Sequence, residues 1–286
     1  MGGYVVRALQ DKGYDVTIFD TEDGRRASDV RFVRGSVTDR ELVSRSIAGA
    51  DAVFHLAGIL GTHETVEMAH QTANVNILGT LNVLDAARKE SASVLYVGKP
   101  NYWSNPYTIS KIAAEEFCFM YRDEFAMNVR AVRCYNVYGP RQPTEEEGYQ
   151  KALPTFIVNA LRGDALTIYG DGTQSMDCIY VTDAVAAMIA VFESSFAPSW
   201  AVDVGSGREI SVNQVAQEVL RLTGSNSLVK HVPMRRGESE NSRICADISA
   251  LCQNLGFVPH VDFEDGLWET IAYYRRLGSY RRMDSA

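Results

Sequence analysis

The sequence predicts an α/β fold: a doubly wound parallel sheet, with a smaller lobe toward the C-terminus. Three observations predict it. Short runs rich in Val, Ile and Phe recur from Val16 to Val204, each about the length of a buried strand. Amphipathic stretches long enough for helices separate them, and strands joined through helices run parallel. Several runs close on Asp or Gly, as at Asp20, Gly58 and Gly98, where a carboxylate or bare backbone can face a ligand at a strand's end.

Val5, Val6 and Leu9 give the opening residues a helical pattern, which reaches a turn at Lys12-Gly13. Tyr14 to Asp20 follows as a β-branched run closing on an acid. Helix, turn, strand and terminal Asp make the latter half of a dinucleotide-binding βαβ unit, whose carboxylate accepts hydrogen bonds from the adenosine ribose. Such a unit opens on an apolar strand and a glycine-rich turn whose N–H groups meet the pyrophosphate. Of these the sequence holds at most the last glycine, Gly2 or Gly3. A chain opening at Met1 is therefore expected to lack a central strand, to expose the edges of that strand's neighbours, and to be less stable and poor in dinucleotide. Either the natural chain is longer or the protein binds the dinucleotide weakly.

The alternation continues through Arg31-Phe32-Val33, a helix from Glu41 to Ile47 capped by Thr38-Asp39, and a strand from Asp51 to Gly58. One long helix is expected from about Glu64 to Lys89, then a strand at Val94 to Gly98, a helix from Pro106 to about Phe125, and a strand at Val129 to Arg133. Thr144 to Gly148 is acidic and loop-like and marks the passage into the smaller lobe. There the pattern gives a helix at Leu153 to Leu161, a strand at Leu166 to Tyr169, the turn Gly170-Asp171-Gly172, a strand at Asp177 to Val181 and a helix from Thr182 to Phe192. Trp200 to Val204 reads as a strand that rejoins the large sheet. Ser211 caps a helix to about Leu222, Phe263 to Arg276 is a last amphipathic helix, and the tail from Arg281 is expected to fray. Residues 1–138, with a return around 177–205, form the dinucleotide-binding domain; residues 139–286 are mainly the substrate-binding lobe.

Composition narrows the function classes. At 286 residues and 46% hydrophobic the chain can bury a large core, and a formal charge of −8 argues against a nucleic-acid binder, which needs a basic surface. The five cysteines are scattered without ligand spacing, so neither a disulfide framework nor a metal site is expected. No apolar run approaches a membrane span and no leader precedes the fold, so the cytoplasm is the expected setting.

Tyr107 and Lys111 stand four residues apart at the start of a helix, which places a phenol and an ammonium one turn apart on one face. Alone, such a pair is as readily a half-buried ring beside a solvated amine. Its surroundings change its weight. The strand ending in Asp20, His55-Leu56-Ala57-Gly58, Asn76-x-x-Gly79-Thr80, Tyr107-x-x-x-Lys111, Asn136 to Arg141, Tyr169 to Gly172, Val181-Thr182-Asp183, Val204 to Gly207 and Arg235-x-Gly237-Glu238 occur in order. Together they resemble the extended short-chain dehydrogenase/reductase family, in its NAD-dependent nucleotide-sugar epimerase/dehydratase branch, over nearly the whole chain.

The resemblance implies a Rossmann-like domain that binds NAD, a nucleotide-diphosphate sugar as substrate, and a homodimer. It makes Tyr107 the catalytic acid/base and Lys111 the residue that binds the nicotinamide ribose and favours the phenolate. The physics agrees, because a free phenol with pKa about 10 is mostly protonated at pH 7 and a nearby cation lowers it. Gly2, Asp20, Leu56, Ala57, Gly58 and Asn76 would line the cofactor cleft, with Asp20 selecting NAD over NADP. Asn136 and Arg235 would hold the diphosphate, though Arg235 also reads as a solvated surface cation. His55 reads as a satisfied core histidine.

The sequence departs from the family pattern around the pair. The segment from Lys99 to Pro106 is short and brings no Ser or Thr to the strand end, where a hydroxyl usually polarises the sugar oxygen; Ser104 and Thr108 are nearest, and neither aligns. The Thr-Asp-Glu or Thr-x-Glu arrangements of dehydratases and decarboxylating relatives are absent. Ser36 replaces an adenine-binding Asp, and Met176 a diphosphate-binding Arg. The expectation is a 4-epimerase working through a transient 4-keto sugar, with a dehydratase or 4-ketoreductase of the same fold as the alternative and a non-catalytic sugar-nucleotide-binding protein as the second.

Overall fold

In a computed structural model the described residues are 1–22, 30–100, 102–143 and 151–277, so the acidic passage at Thr144 to Gly148 and the tail from Arg281 lie outside them. Helix α1 (Gly2–Asp11) buries Val5 and Leu9 on one face. Strands β1 (Thr17–Asp20) and β2 (Arg31–Arg34) follow. The Asp39 carboxylate accepts from the Leu42 N–H at 3.0 Å and starts α2 (Arg40–Ile47), which leads to β3 (Ala52–His55).

The long helix expected from Glu64 to Lys89 is broken. A 3-10 turn at Glu64–Met68 leads to α3 (Ala69–Ala73), then a π turn at Asn74–Leu78, then α4 (Gly79–Glu90). The Thr80 hydroxyl donates to the Asn76 carbonyl at 2.7 Å, competing with the helical ladder where it widens. Gly79 packs so closely on Val37 that a Cβ there would lie 2.5 Å from Val37 Cγ2.

The remaining elements are β4 (Ser93–Gly98), α5 (Pro106–Phe125), β5 (Val129–Cys134), α6 (Ala152–Arg162), β6 (Leu166–Tyr169), β7 (Ser175–Asp177), α7 (Val181–Glu193), β8 (Val202–Val204), β9 (Glu209–Ser211), α8 (Val212–Thr223), β10 (Val229–Val232) and α9 (Phe263–Leu277). The strand expected at Asp177 to Val181 instead ends at Asp177 and pairs antiparallel with β9. Its chain turns away because the buried Asp177 carboxylate accepts from the N–H groups of Ser206, Gly207 and Ala246 and from the Ser206 hydroxyl. β10 has no clear apolar pattern and pairs in parallel with β6.

β3, β4, β5 and β8 form a four-stranded parallel sheet in that order, with β8 rejoining it as expected. β1 and β2 form a separate parallel pair. Among the described residues no strand pairs with the second edge of β1 or β3. Burial follows: β4 is buried from Val94 to Gly98, whereas β1 and β3 are largely half-buried or exposed.

The side chains of β4 point alternately into two clusters. Val94 and Tyr96 pack with Leu84 of α4 and Ala114, Cys118 and Tyr121 of α5. Leu95 and Val97 join Val5 and Leu9 of α1 and Val185, Met188 and Ile189 of α7. The sheet is thus covered on both faces, and each fully buried aliphatic side chain contributes about 1.5–3 kcal/mol. The second cluster continues through Phe156 and Ile157 of α6, Val215 of α8 and Leu267 of α9, so one core runs unbroken past residue 138.

Candidate active site

Parallel strands end on one edge of their sheet, and in an α/β fold that edge is where ligands bind. Here it gathers His55 at the end of β3, Gly98 at the end of β4 and Cys134 at the end of β5. Helix α5 starts beside it. Asn105 caps that helix by accepting from the Thr108 N–H at 2.8 Å, and Pro106 fills the first turn, where no N–H is needed. The Tyr107 N–H donates to the Thr65 hydroxyl at 3.3 Å.

Tyr107 is half-buried and Lys111, on the same face, is only 5% exposed. The Lys111 ammonium lies 4.2 Å from the centre of the Tyr96 ring, and the Tyr96 hydroxyl donates to the Lys111 carbonyl at 3.0 Å. Burial pulls the ammonium down to about 8, with Cys118 and Glu115 opposing the fall. Lys111 therefore stays mainly charged at pH 7. Below it, Glu115 is buried and takes a paired grip on Arg133 of β5, with Arg133 Nη2 2.5 Å from Glu115 Oε1. Gly98 is needed at this crossing, since a Cβ there would lie 2.4 Å from Glu115 Oε2.

Asn76 is 1% exposed. Its Oδ1 accepts from the Ile59 N–H at 2.7 Å, and its Nδ2 donates to the Ile59 carbonyl and to the Ser110 hydroxyl. Both amide protons are committed, so Asn76 positions the segment after β3 against α5 rather than presenting a donor to a cofactor. That segment brings half-buried Leu56 and Gly58 and exposed Ala57 to the sheet edge. His55 is the core histidine its sequence predicts: Nε2 lies 2.9 Å from the Thr80 hydroxyl, and burial, with the Lys111 charge adding, holds the imidazole at about 3.

Asp20 is exposed at the end of β1 and accepts from the Glu22 N–H at 3.2 Å. Gly2 begins α1 with open space beside it. A helix N-terminus open to an anion, a strand-end carboxylate for ribose hydroxyls, bare backbone at Ala57 and a buried ammonium at Lys111 are a donor and acceptor set that fits a dinucleotide. Ser36, where an adenine-binding Asp is usual, turns inward on Thr38, their hydroxyls 2.8 Å apart.

On the arm next to the start of α5, Arg235 is not a solvated cation. It is 18% exposed, grips Glu238 (Nη2 to Oε1 2.5 Å) and stacks 4.7 Å from the centre of the Tyr169 ring. Asn105 Nδ2 donates to the Gly237 carbonyl at 2.8 Å, tying this arm to the start of α5. Asn136 is exposed and donates to the Asp177 carbonyl at 3.3 Å. Among the described residues no hydrogen bond or ion pair joins Asn136 to Arg235. Met176 packs against the core rather than facing a diphosphate.

Lys99 belongs to none of the sequence motifs. It follows Gly98 at the strand end, is 8% exposed, and holds its ammonium 5.2 Å from the ring centres of both Trp103 and Tyr107. Burial pulls it down to about 7, with Glu238 opposing the fall. Its signal in the sequence is a lone cation directly after an apolar strand, at the position where a hydroxyl is usual. Ser104 is exposed, and Thr108 is buried in the first turn of α5.

The family model for the NAD dependent epimerase/dehydratase family matches residues 1–205. UDP-N-acetyl-alpha-D-glucosaminuronate decarboxylase of Bacillus cytotoxicus is 31% identical over 97% of this chain and 95% of its own. dTDP-glucose 4,6-dehydratase of Streptomyces niveus is 30% identical over 86% of this chain and 76% of its own. Among solved structures, UDP-glucose 4-epimerase of Thermus thermophilus in complex with NAD superposes with a TM-score of 0.87 at 26% identity, covering 96% of this chain and 95% of that one. The relatives thus include epimerases, dehydratases and decarboxylases of nucleotide sugars. Taken with the parallel sheet and the Tyr107 helix at its edge, the match places this chain in the NAD dependent epimerase/dehydratase family, the nucleotide-sugar branch of the extended short-chain dehydrogenase/reductases, with NAD as its cofactor.

Proposed function

We propose that the protein is a nucleotide-sugar 4-epimerase. The observation that carries the reading is the start of α5, where Tyr107 and the buried Lys111 share one face and Asn105 ties that face to the arm bearing Arg235. NAD supplies a reversible hydride acceptor in this site. The chain's own groups do the rest. Lys111, held charged, favours the Tyr107 phenolate, which takes the proton of the sugar hydroxyl and returns it after the 4-keto sugar has turned over. Asn136 and the Arg235 fork hold the diphosphate, so the sugar pivots on a fixed anchor. The Lys99 to Pro106 segment contains no carboxylic acid, which favours return of the hydride over loss of water.

The reading includes a cytoplasmic homodimer. Among the described residues no helix is long and apolar enough to cross a membrane. Ile109 and Met120 of α5 and Leu78 before α4 are exposed apolar side chains that a second copy would cover, and light scattering measures the mass. Purified protein with NAD and a panel of UDP-, dTDP- and GDP-sugars, UDP-glucuronate included, is expected to interconvert at least one 4-epimer pair by NMR. Net loss of water or carbon dioxide, net consumption of a reduced nicotinamide, or binding without turnover would each overturn the reading.

A further inference from the structure

A phenolate that removes a proton from a sugar hydroxyl leaves growing negative charge on the oxygen in one half-reaction and must reprotonate it in the other. A second fixed donor at that oxygen is worth about 10²–10³ in rate. We infer that Lys99 is this donor: a catalytic residue whose ammonium hydrogen-bonds the sugar oxygen that exchanges its proton with Tyr107. The inference rests on the epimerase-type chemistry proposed above.

Its ground is the position of one cation. Lys99 directly follows the last residue of β4, the strand covered on both faces, so its backbone is fixed. The ammonium stands against the Tyr107 and Trp103 rings at 5.2 Å each and is near enough to Glu238 of the Arg235 arm to feel its charge, so it borders both the acid/base and that arm. A sugar whose diphosphate is held on that arm and whose ring reaches Tyr107 then comes within reach of this ammonium. Among the described residues Glu238 draws on it electrostatically, while that carboxylate also serves Arg235 and the Thr62 hydroxyl, and Lys111 stands on α5. Burying a lysine is costly, and a group desolvated in this way gains strongly when an oxygen with developing charge arrives. Lys99 gives up no proton and no bond to its nitrogen forms or breaks; the proton traffic belongs to Tyr107.

The test compares wild type with Lys99→Met, Lys99→Arg and Lys99→Ser. Lys99→Met removes the charge and keeps the packing of the stem, and the melting temperature of each variant is read beside its rates so that a folding loss is told apart from a catalytic one. The kcat of Lys99→Met is expected to fall by about 10²–10³ with KM within about threefold, and Lys99→Arg, which keeps charge and donors, to recover a large part of the loss. A kcat within about threefold of wild type in Lys99→Met, or full activity in Lys99→Ser together with Lys99→Met, overturns the inference. So does a loss confined to UDP-glucuronate, which would make Lys99 a carboxylate anchor.

A second arm needs no turnover. Reductive methylation of the full chain at pH 7, read at Lys99 by peptide mass spectrometry, is run with UDP-glucose, UDP-glucuronate and dTDP-glucose and with UDP and dTDP alone. Protection by at least one sugar nucleotide but not by its bare diphosphate supports a sugar-facing ammonium. No protection, or equal protection by the diphosphate, overturns it. If wild type turns over nothing in the panel, the epimerase reading fails while this arm still judges Lys99.

Discussion

Lowering the pH should expose the cost of keeping His55 neutral. The imidazole is 3% exposed and held at about 3. The Thr80 hydroxyl gives its own proton to the Asn76 carbonyl, so His55 Nε2 must donate to it, and the other ring nitrogen has no proton in the native state. An unfolded histidine takes that proton near pH 6.5. Between there and about 3 the unfolded state binds more protons than the native one, so the stability His55 contributes is full above pH 6.5 and falls as pH falls. At about 1.4 kcal/mol per pH unit, the loss accumulated by pH 5 is about 2 kcal/mol. Urea unfolding at pH 7 and pH 5 of wild type and His55→Gln measures it. Each protein is compared with itself, so a variant weaker at both pH values still reports. Wild type should lose about 2 kcal/mol more than the variant on acidification. Equal losses would refute a buried neutral imidazole.

Other outcomes follow from the same geometry. Tyr107→Phe should lower kcat by about 10²–10⁴ with little change in nucleotide-sugar KM, measured by the NMR assay, because it removes the exchanging proton and keeps the ring. Gly98→Ala drives a methyl against the Glu115 carboxylate and should cost about 1–3 kcal/mol by displacing it from its grip on Arg133, seen as a lowered melting temperature. Asp20→Ser should weaken NAD by about tenfold in calorimetry and narrow the preference over NADP, since it removes both the ribose acceptor and the charge facing a 2′-phosphate.

Much of this fold was legible because burial on both faces leaves a simple trace. Val94 to Gly98 reads as a strand from its residues alone, and β8 could be assigned to the large sheet because Val202 and Val204 are as apolar as the strands it joins. The failures have a common cause in side chains that hydrogen-bond backbone. Asn76 and Thr80 interrupt a stretch whose periodicity promised one helix, and Asp177 ends a strand whose apolar run goes on to Val181. β10 was invisible because Lys230 and His231 give it no apolar face, and it forms by pairing with β6. Within the site, Tyr107, Lys111 and Arg235 were readable as residue types at set spacings. The burial of Lys99 was not, because it depends on rings and a carboxylate that the fold brings from Trp103, Tyr107 and Glu238.

Asn105 does two jobs with one side chain: its oxygen caps α5 and its nitrogen holds the Gly237 carbonyl. The arm that carries Arg235 and the first turn beneath Tyr107 are therefore mechanically geared. Any displacement of Gly237 pulls on the amide that fixes the Thr108 N–H, so seating of a ligand on the arm and the aim of the phenol are not independent events. The amide exchange rate at Thr108 is then a gauge of whether the arm is engaged, slow when it is seated and faster when it lifts.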